Sequence, residues 1–119
     1  MRIVHFELPA DDPARCIRFY QQAFGWRFEK WDGPMDYWMV KTGDGPGIDG
    51  GLARRDHPGQ SSTNVVSVPS VDEYAKAIVA AGGETTVPKM AVPGVGWTAY
   101  FTDTEGTPFG IIQFDPAAS

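Results

Sequence analysis

The chain has 119 residues and a formal net charge of −5, a length that fits one domain and buries a core without disulfide or metal staples. Its acidic balance, with Arg54-Arg55 beside Asp56 the only basic doublet, argues against nucleic acid, whose binding requires a basic stripe. The single cysteine, Cys16, excludes an internal disulfide, and no apolar run reaches the ~20 residues that span a bilayer.

Met1-Arg2-Ile3 leads straight into a strand over residues 3–8 with no signal-peptide pattern, so the expected location is the cytoplasm. Asp12 caps and Pro13 opens a helix over 13–24, with an apolar stripe of Cys16, Ile17, Tyr20, Ala23 and Phe24, and Gly25 ends it. A strand over 26–31 places Trp26 and Phe28 on one face. Asp32-Gly33-Pro34 is a turn, 37–41 a third strand, 42–47 a glycine-rich loop and 50–54 a fourth strand. The polar stretch 56–62, with His57-Pro58-Gly59, reads as a linker.

A strand over 63–68 follows. Ser70-Val71-Asp72-Glu73 is a capping box opening a helix over 71–81, whose buried stripe is Val71, Tyr74, Ala75, Ile78 and Val79. Gly82-Gly83 stops it. Residues 84–87 and 97–102 read as strands separated by a loop over 89–96, and the turn Asp103-Thr104-Glu105-Gly106 leads into a last strand over 109–114. Residues 115–119 are expected to fray. His5, Asp12 and Gly25 fall 58 positions before Thr63, Ser70 and Gly83, so one strand–helix–strands unit is used twice: module one over 1–55, module two over 63–119.

These elements carry a resemblance. Val4-His5-Phe6-Glu7, Asp11-Asp12-Pro13, Phe19-Tyr20 and Phe24-Gly25-Trp26 in the first module resemble the vicinal oxygen chelate superfamily, the group of glyoxalase I, bleomycin-resistance proteins and extradiol dioxygenases. In the second module Val68-Pro69-Ser70-Val71-Asp72-Glu73-Tyr74, Ala81-Gly82-Gly83, Val92-Pro93-Gly94-Val95-Gly96-Trp97 and Asp103-Thr104-Glu105-Gly106 resemble it too. The resemblance implies an α+β fold of two βαβββ modules forming a curved, eight-stranded mixed sheet around a cavity. It also implies a homodimer, since modules of relatives often pair across chains.

Members that do metal chemistry hold a divalent ion with about four His, Gln or Glu side chains from the first and last strand of each module. Carried over residue by residue, His5 matches the first. The second falls at Gly50 or Gly51, the third at Thr63 or Asn64 depending on register, and the fourth at Gly110, where relatives usually carry Glu. One imidazole does not hold an ion against water, so the expectation is no cofactor; should a divalent ion bind, its ligands are His5 and Glu7, which share a strand face.

Two readings of function stand. The first is a small-molecule binding protein of the bleomycin-resistance type, taking a small apolar or aromatic molecule in a cavity lined by Trp38, Gly50, Thr63, Trp97, Tyr100, Gly110 and Ile112. The glycines there remove bulk from the floor, or mark bulges or strand ends. The second is a lyase, isomerase or dioxygenase-like enzyme that uses His5 and Glu7 as an acid–base pair, with or without a divalent metal. Four Trp, four Tyr and seven Phe suit an apolar, aromatic-walled site, and neither nucleic acid nor membrane is an expected partner.

Overall fold

The computed structural model describes residues 1–119. In chain order the elements are β1 (Ile3–Ala10), α1 (Pro13–Phe24), β2 (Arg27–Lys30), β3 (Tyr37–Lys41), β4 (Asp49–Arg54), β5 (Thr63–Ser67), α2 (Val71–Ala80), β6 (Glu84–Val92), β7 (Gly96–Thr102) and β8 (Pro108–Phe114). The eight strands form one mixed sheet in the order β2-β3-β4-β1-β5-β8-β7-β6, which is the α+β fold of two βαβββ modules expected from the sequence. Two compact units are evident, His5–Ser62 and the remainder, Met1–Val4 with Thr63–Ser119.

In the unit His5–Ser62, β1 pairs parallel with β4, and β3 pairs antiparallel with both β4 and β2. The Asp12 carboxylate accepts from the Arg15 amide at 3.1 Å and caps α1. Gly25, at φ 72°, takes the left-handed turn that lets its N–H donate to the Gln21 carbonyl. The core gathers Ala10, Val40 and Leu52, with Phe6, Leu8, Cys16, Ile17, Trp26, Phe28 and Trp38 packed against them. The helical stripe is shorter than its spacing suggests: Trp26 stacks on Tyr20 at 4.8 Å and leaves Phe24, 5.5 Å from Trp26, 65% exposed. The stretch 56–62 is tied down by two side chains: Arg55 donates to Asp11 and to the Gln60 carbonyl, and Gln60 Oε1 accepts from the Asp56 amide at 2.7 Å.

In the second unit, β5 pairs parallel with β8, and β7 pairs antiparallel with both β8 and β6. Ser70 Oγ accepts from the Glu73 amide at 3.2 Å, and Gln113 Oε1 accepts from the Val71 amide at 3.0 Å, so two free donors of the α2 N-terminus are met. Val68, Val71, Ala99, Phe101 and Ile111 form the core. Val79 is 53% exposed, because Ile78 takes the place against the core that the stripe assigns to both.

Two expectations are corrected here. β6 runs on through Pro88 to Val92 instead of stopping at Val87, with register shifts on either side of Val87; as the edge strand it has no partner beyond it, and proline and bulges are tolerated there. The tail does not fray. Asp115 accepts from Trp97 Nε1 at 3.2 Å, the Ala118 carbonyl accepts from the Gly94 amide at 3.0 Å, and Ala118 is buried.

Candidate functional site

Alternation along each strand sorts the side chains between the face carrying the helix and the face opposite it. In the unit His5–Ser62, Phe6 and Leu8, Trp38 and Val40, and Leu52 face α1. The opposite face therefore carries His5 and Glu7 from β1, Tyr37 and Met39 from β3, and Asp49 and Gly51 from β4, with Glu7 in register with Gly51 and Met39 in register with the same glycine.

Gly51 organises this face. A Cβ at residue 51 would fall on the Tyr37 hydroxyl and Cζ and lie 2.8 Å from Cε2. The missing side chain is thus the space in which the Tyr37 phenol rests, and from there its oxygen is 3.0 Å from His5 Nε2. The Trp31 ring meets Tyr37 edge to face at 6.2 Å, and the Trp31 amide donates to the Tyr37 carbonyl at 2.8 Å. Tyr37 and His5 are half-buried and Met39 is 39% exposed, so the face is open to a ligand.

Both members of the pair are held neutral. Burial pushes the His5 imidazole below its ordinary 6.5, opposed by the charge of Asp49. Burial, and then the charge of Glu7, pushes the Tyr37 phenol far above its ordinary 10. Asp49 stays ionised: the Thr42 amide donates to it at 2.9 Å and the Thr42 hydroxyl at 3.2 Å, which holds its carboxyl below the usual range.

The second unit repeats the motif of a tyrosine over a glycine. Thr63 and Val65 of β5, Thr98 and Tyr100 of β7, and Gly110 and Ile112 of β8 lie on the face opposite α2. A Cβ at Gly110 would approach Tyr100 Cε1 to 2.8 Å. Gly110 is therefore covered by a ring rather than left open as a floor. Thr98 Oγ1 is buried on this face without a hydrogen-bond partner.

The structure settles both registers that alternation left open. Gly51, not Gly50, lies on the His5 face; Gly50 is turned to the core, where a Cβ would meet the Phe6 ring and carbonyl at 2.5 Å. Thr63, not Asn64, lies on the Gly110 face, since Asn64 is in register with Phe109 of the core. Trp38 and Trp97 are corrected with Gly50. Both pack on the helix side, Trp38 with Val40 and Leu52, Trp97 with Ala99 and Phe101, because each shares strand parity with core residues. Tyr37 and Asp49 were missed. Lys41 was the available signal, because a charged residue at 41 marks 37, 39 and 41 as the wetter face of β3.

The divalent ion implied by the resemblance finds no donor set here. No three His, Cys, Asp or Glu side chains come together to hold one. The imidazole nitrogen available as the first ligand is instead at hydrogen-bond distance from a phenol, and a phenol fills the place of the second. The residues present do not fit the group.

Residues 2–43 match the family model described as bleomycin resistance protein-like N-terminal. No curated protein matches the chain in sequence. Among solved structures, a hypothetical protein from Bacillus halodurans C-125 superposes with a TM-score of 0.75 at 12% identity, covering 99% of this chain and 97% of that one. Methylmalonyl-CoA epimerase from Mycobacterium tuberculosis gives 0.70 at 13% identity, covering 96% and 88%. The Streptomyces coelicolor methylmalonyl-CoA epimerase in complex with 2-nitronate-propionyl-CoA gives 0.69 at 16%, covering 100% and 98%. At these identities the structures speak for the fold alone. Residues 2–43 are thus similar in sequence to the bleomycin resistance protein-like N-terminal family, and the chain shares its fold with these epimerases.

Proposed function

We propose that this chain is a small-molecule binding protein of the bleomycin-resistance type. It holds a small apolar or aromatic molecule on the face of His5, Tyr37 and Met39 and works without a bound divalent ion. One observation carries the reading: the Tyr37 phenol occupies the space above Gly51 and closes on His5 Nε2. A ligand arriving there meets an apolar wall, Trp31 and Met39, around a few fixed polar atoms, the usual build of a small-molecule site. The chain is proposed to act as a cytoplasmic homodimer; sedimentation as a monomer at micromolar concentration would contradict the assembly.

The test is a thermal-shift screen of small aromatic compounds against the wild type and Tyr37→Ala, on protein without an affinity tag. Compounds that raise the wild-type melting temperature and leave the variant unchanged support the reading; equal shifts in both remove it. An acid–base role of His5 and Glu7 is the competing proposal, favoured by the closeness of the Glu7 charge to Tyr37. Turnover of a bound compound, abolished in Glu7→Gln, would establish it.

A further inference from the structure

In the second unit, beside the start of α2, lies an open groove of about 500 Å³. Val4, Val68, Pro69 and Phe114 give it apolar walls, and Phe114 is 60% exposed. Although the chain holds 15 acidic residues, none of them lines the groove. Arg2 is the one charged side chain there. It enters no ion pair, whereas Lys30, Lys41, Arg54, Arg55 and Lys89 each meet an aspartate. The Arg2 carbonyl accepts from the Ser67 amide at 2.9 Å, which fixes the backbone that carries the guanidinium. Gln113 Oε1 accepts from the Val71 amide at 3.0 Å. That bond orients the side-chain amide and leaves the two N–H donors of its Nε2 without a protein partner.

We infer that this groove is a second binding site, one that takes a small monocarboxylate with an apolar body. Arg2 supplies the charge and Gln113 a fixed neutral donor, and a planar carboxylate has two oxygens to share between them. One cation balances one negative charge, so a monocarboxylate is matched where a phosphate dianion, in a chain of net charge −5, is not. The groove adjoins the positive end of the α2 dipole, but Asp72 and Glu73 in that turn offset it, so Arg2 is the group that selects the anion. An exposed ion pair adds little affinity by itself. The apolar body of the ligand therefore matters as much as its charge, because it removes Val4, Val68 and Phe114 from water. The volume is in the range of small-molecule sites.

The experiment titrates the untagged full chain, 15N-labelled, with phenylbutyrate, its neutral amide phenylbutanamide, and acetate near neutral pH. Phenylbutyrate should bind several-fold more tightly than either control and shift the side-chain amide resonances of Gln113. Arg2→Gln should bring the acid down to the affinity of its amide. Gln113→Glu keeps an acceptor for the Val71 amide and puts a negative charge in the groove; it should weaken the acid and spare the amide. Tyr37→Ala should leave the whole pattern unchanged. Equal affinity for acid and amide in the wild type, a preference for the acid that survives in Arg2→Gln, or unmoved Gln113 resonances overturn the inference. No saturable binding of phenylbutyrate overturns it too. Binding lost in Tyr37→Ala would assign the acid to the His5 face, overturning the groove while leaving the binding reading in place.

Discussion

Replacing Gly51 by alanine puts a methyl group where the Tyr37 hydroxyl and Cζ now lie. β4 cannot retreat easily, because it is paired on both sides, with β1 and with β3. The phenol must therefore swing away. The hydrogen bond to His5 is lost, about 0.5–1.5 kcal/mol. Re-exposing part of the ring costs a further ~1–1.5 kcal/mol, about half the value of a fully buried large apolar side chain. Alanine in a strand returns about 0.5–1 kcal/mol over glycine. The net is a loss of about 1–2 kcal/mol, or a fall in melting temperature of roughly 4–8 °C for a domain of this size. The sharper test is a cycle with Tyr37→Ala. With the phenol gone, the same Gly51→Ala change should stabilise by the ~0.5–1 kcal/mol of the backbone effect alone. Chemical denaturation of the four proteins measures both. A Gly51→Ala cost that is equal in the two backgrounds within about 0.5 kcal/mol would refute the idea that Tyr37 rests in the space of the missing side chain.

Gly110→Leu should cost about 1–3 kcal/mol, because the Tyr100 ring covers the position; an unchanged melting curve would show an open floor. Asp115→Ala removes the acceptor of Trp97 Nε1 and of the Ala117 amide and should cost about 1–2 kcal/mol in urea denaturation. Stability should fall with pH in two steps. His5 has a folded pKa below its ordinary 6.5, so the unfolded chain binds the proton first and stability declines as pH drops through 6.5 toward the lowered value. Asp49, lowered by Thr42, and Asp36, lowered by Arg54, add a second decline below their ordinary 3.8. His5→Gln should abolish the upper step alone in a pH series of melting curves.

Local chemistry was legible where one residue decides the outcome. Asp12, Pro13 and Gly25 set both ends of α1, and Ser70 with Glu73 set the start of α2. The register of two glycines was not legible, because Gly50 and Gly51 have no side chain to betray a face; only pairing with β1 and β3 separates them. Trp38 was misread for a related reason. A tryptophan suits a core and a ligand wall equally, whereas Lys41 on the other parity does not suit a core. β6 was cut short because Pro88 is a breaker in a central strand and harmless at an edge, and edge position is a property of the whole sheet. The tail looked free because Asp115 finds Trp97 only across 18 residues of chain.

The central claim is that the His5–Tyr37 face takes its ligand without a divalent ion. A calorimetric titration of acetophenone into untagged protein, before and after stripping with a chelator and again after adding back Zn or Mn, tests it most directly. The account predicts the same affinity in all three states. Binding that disappears on stripping and returns with the added ion, and does so only while His5 is present, would contradict it.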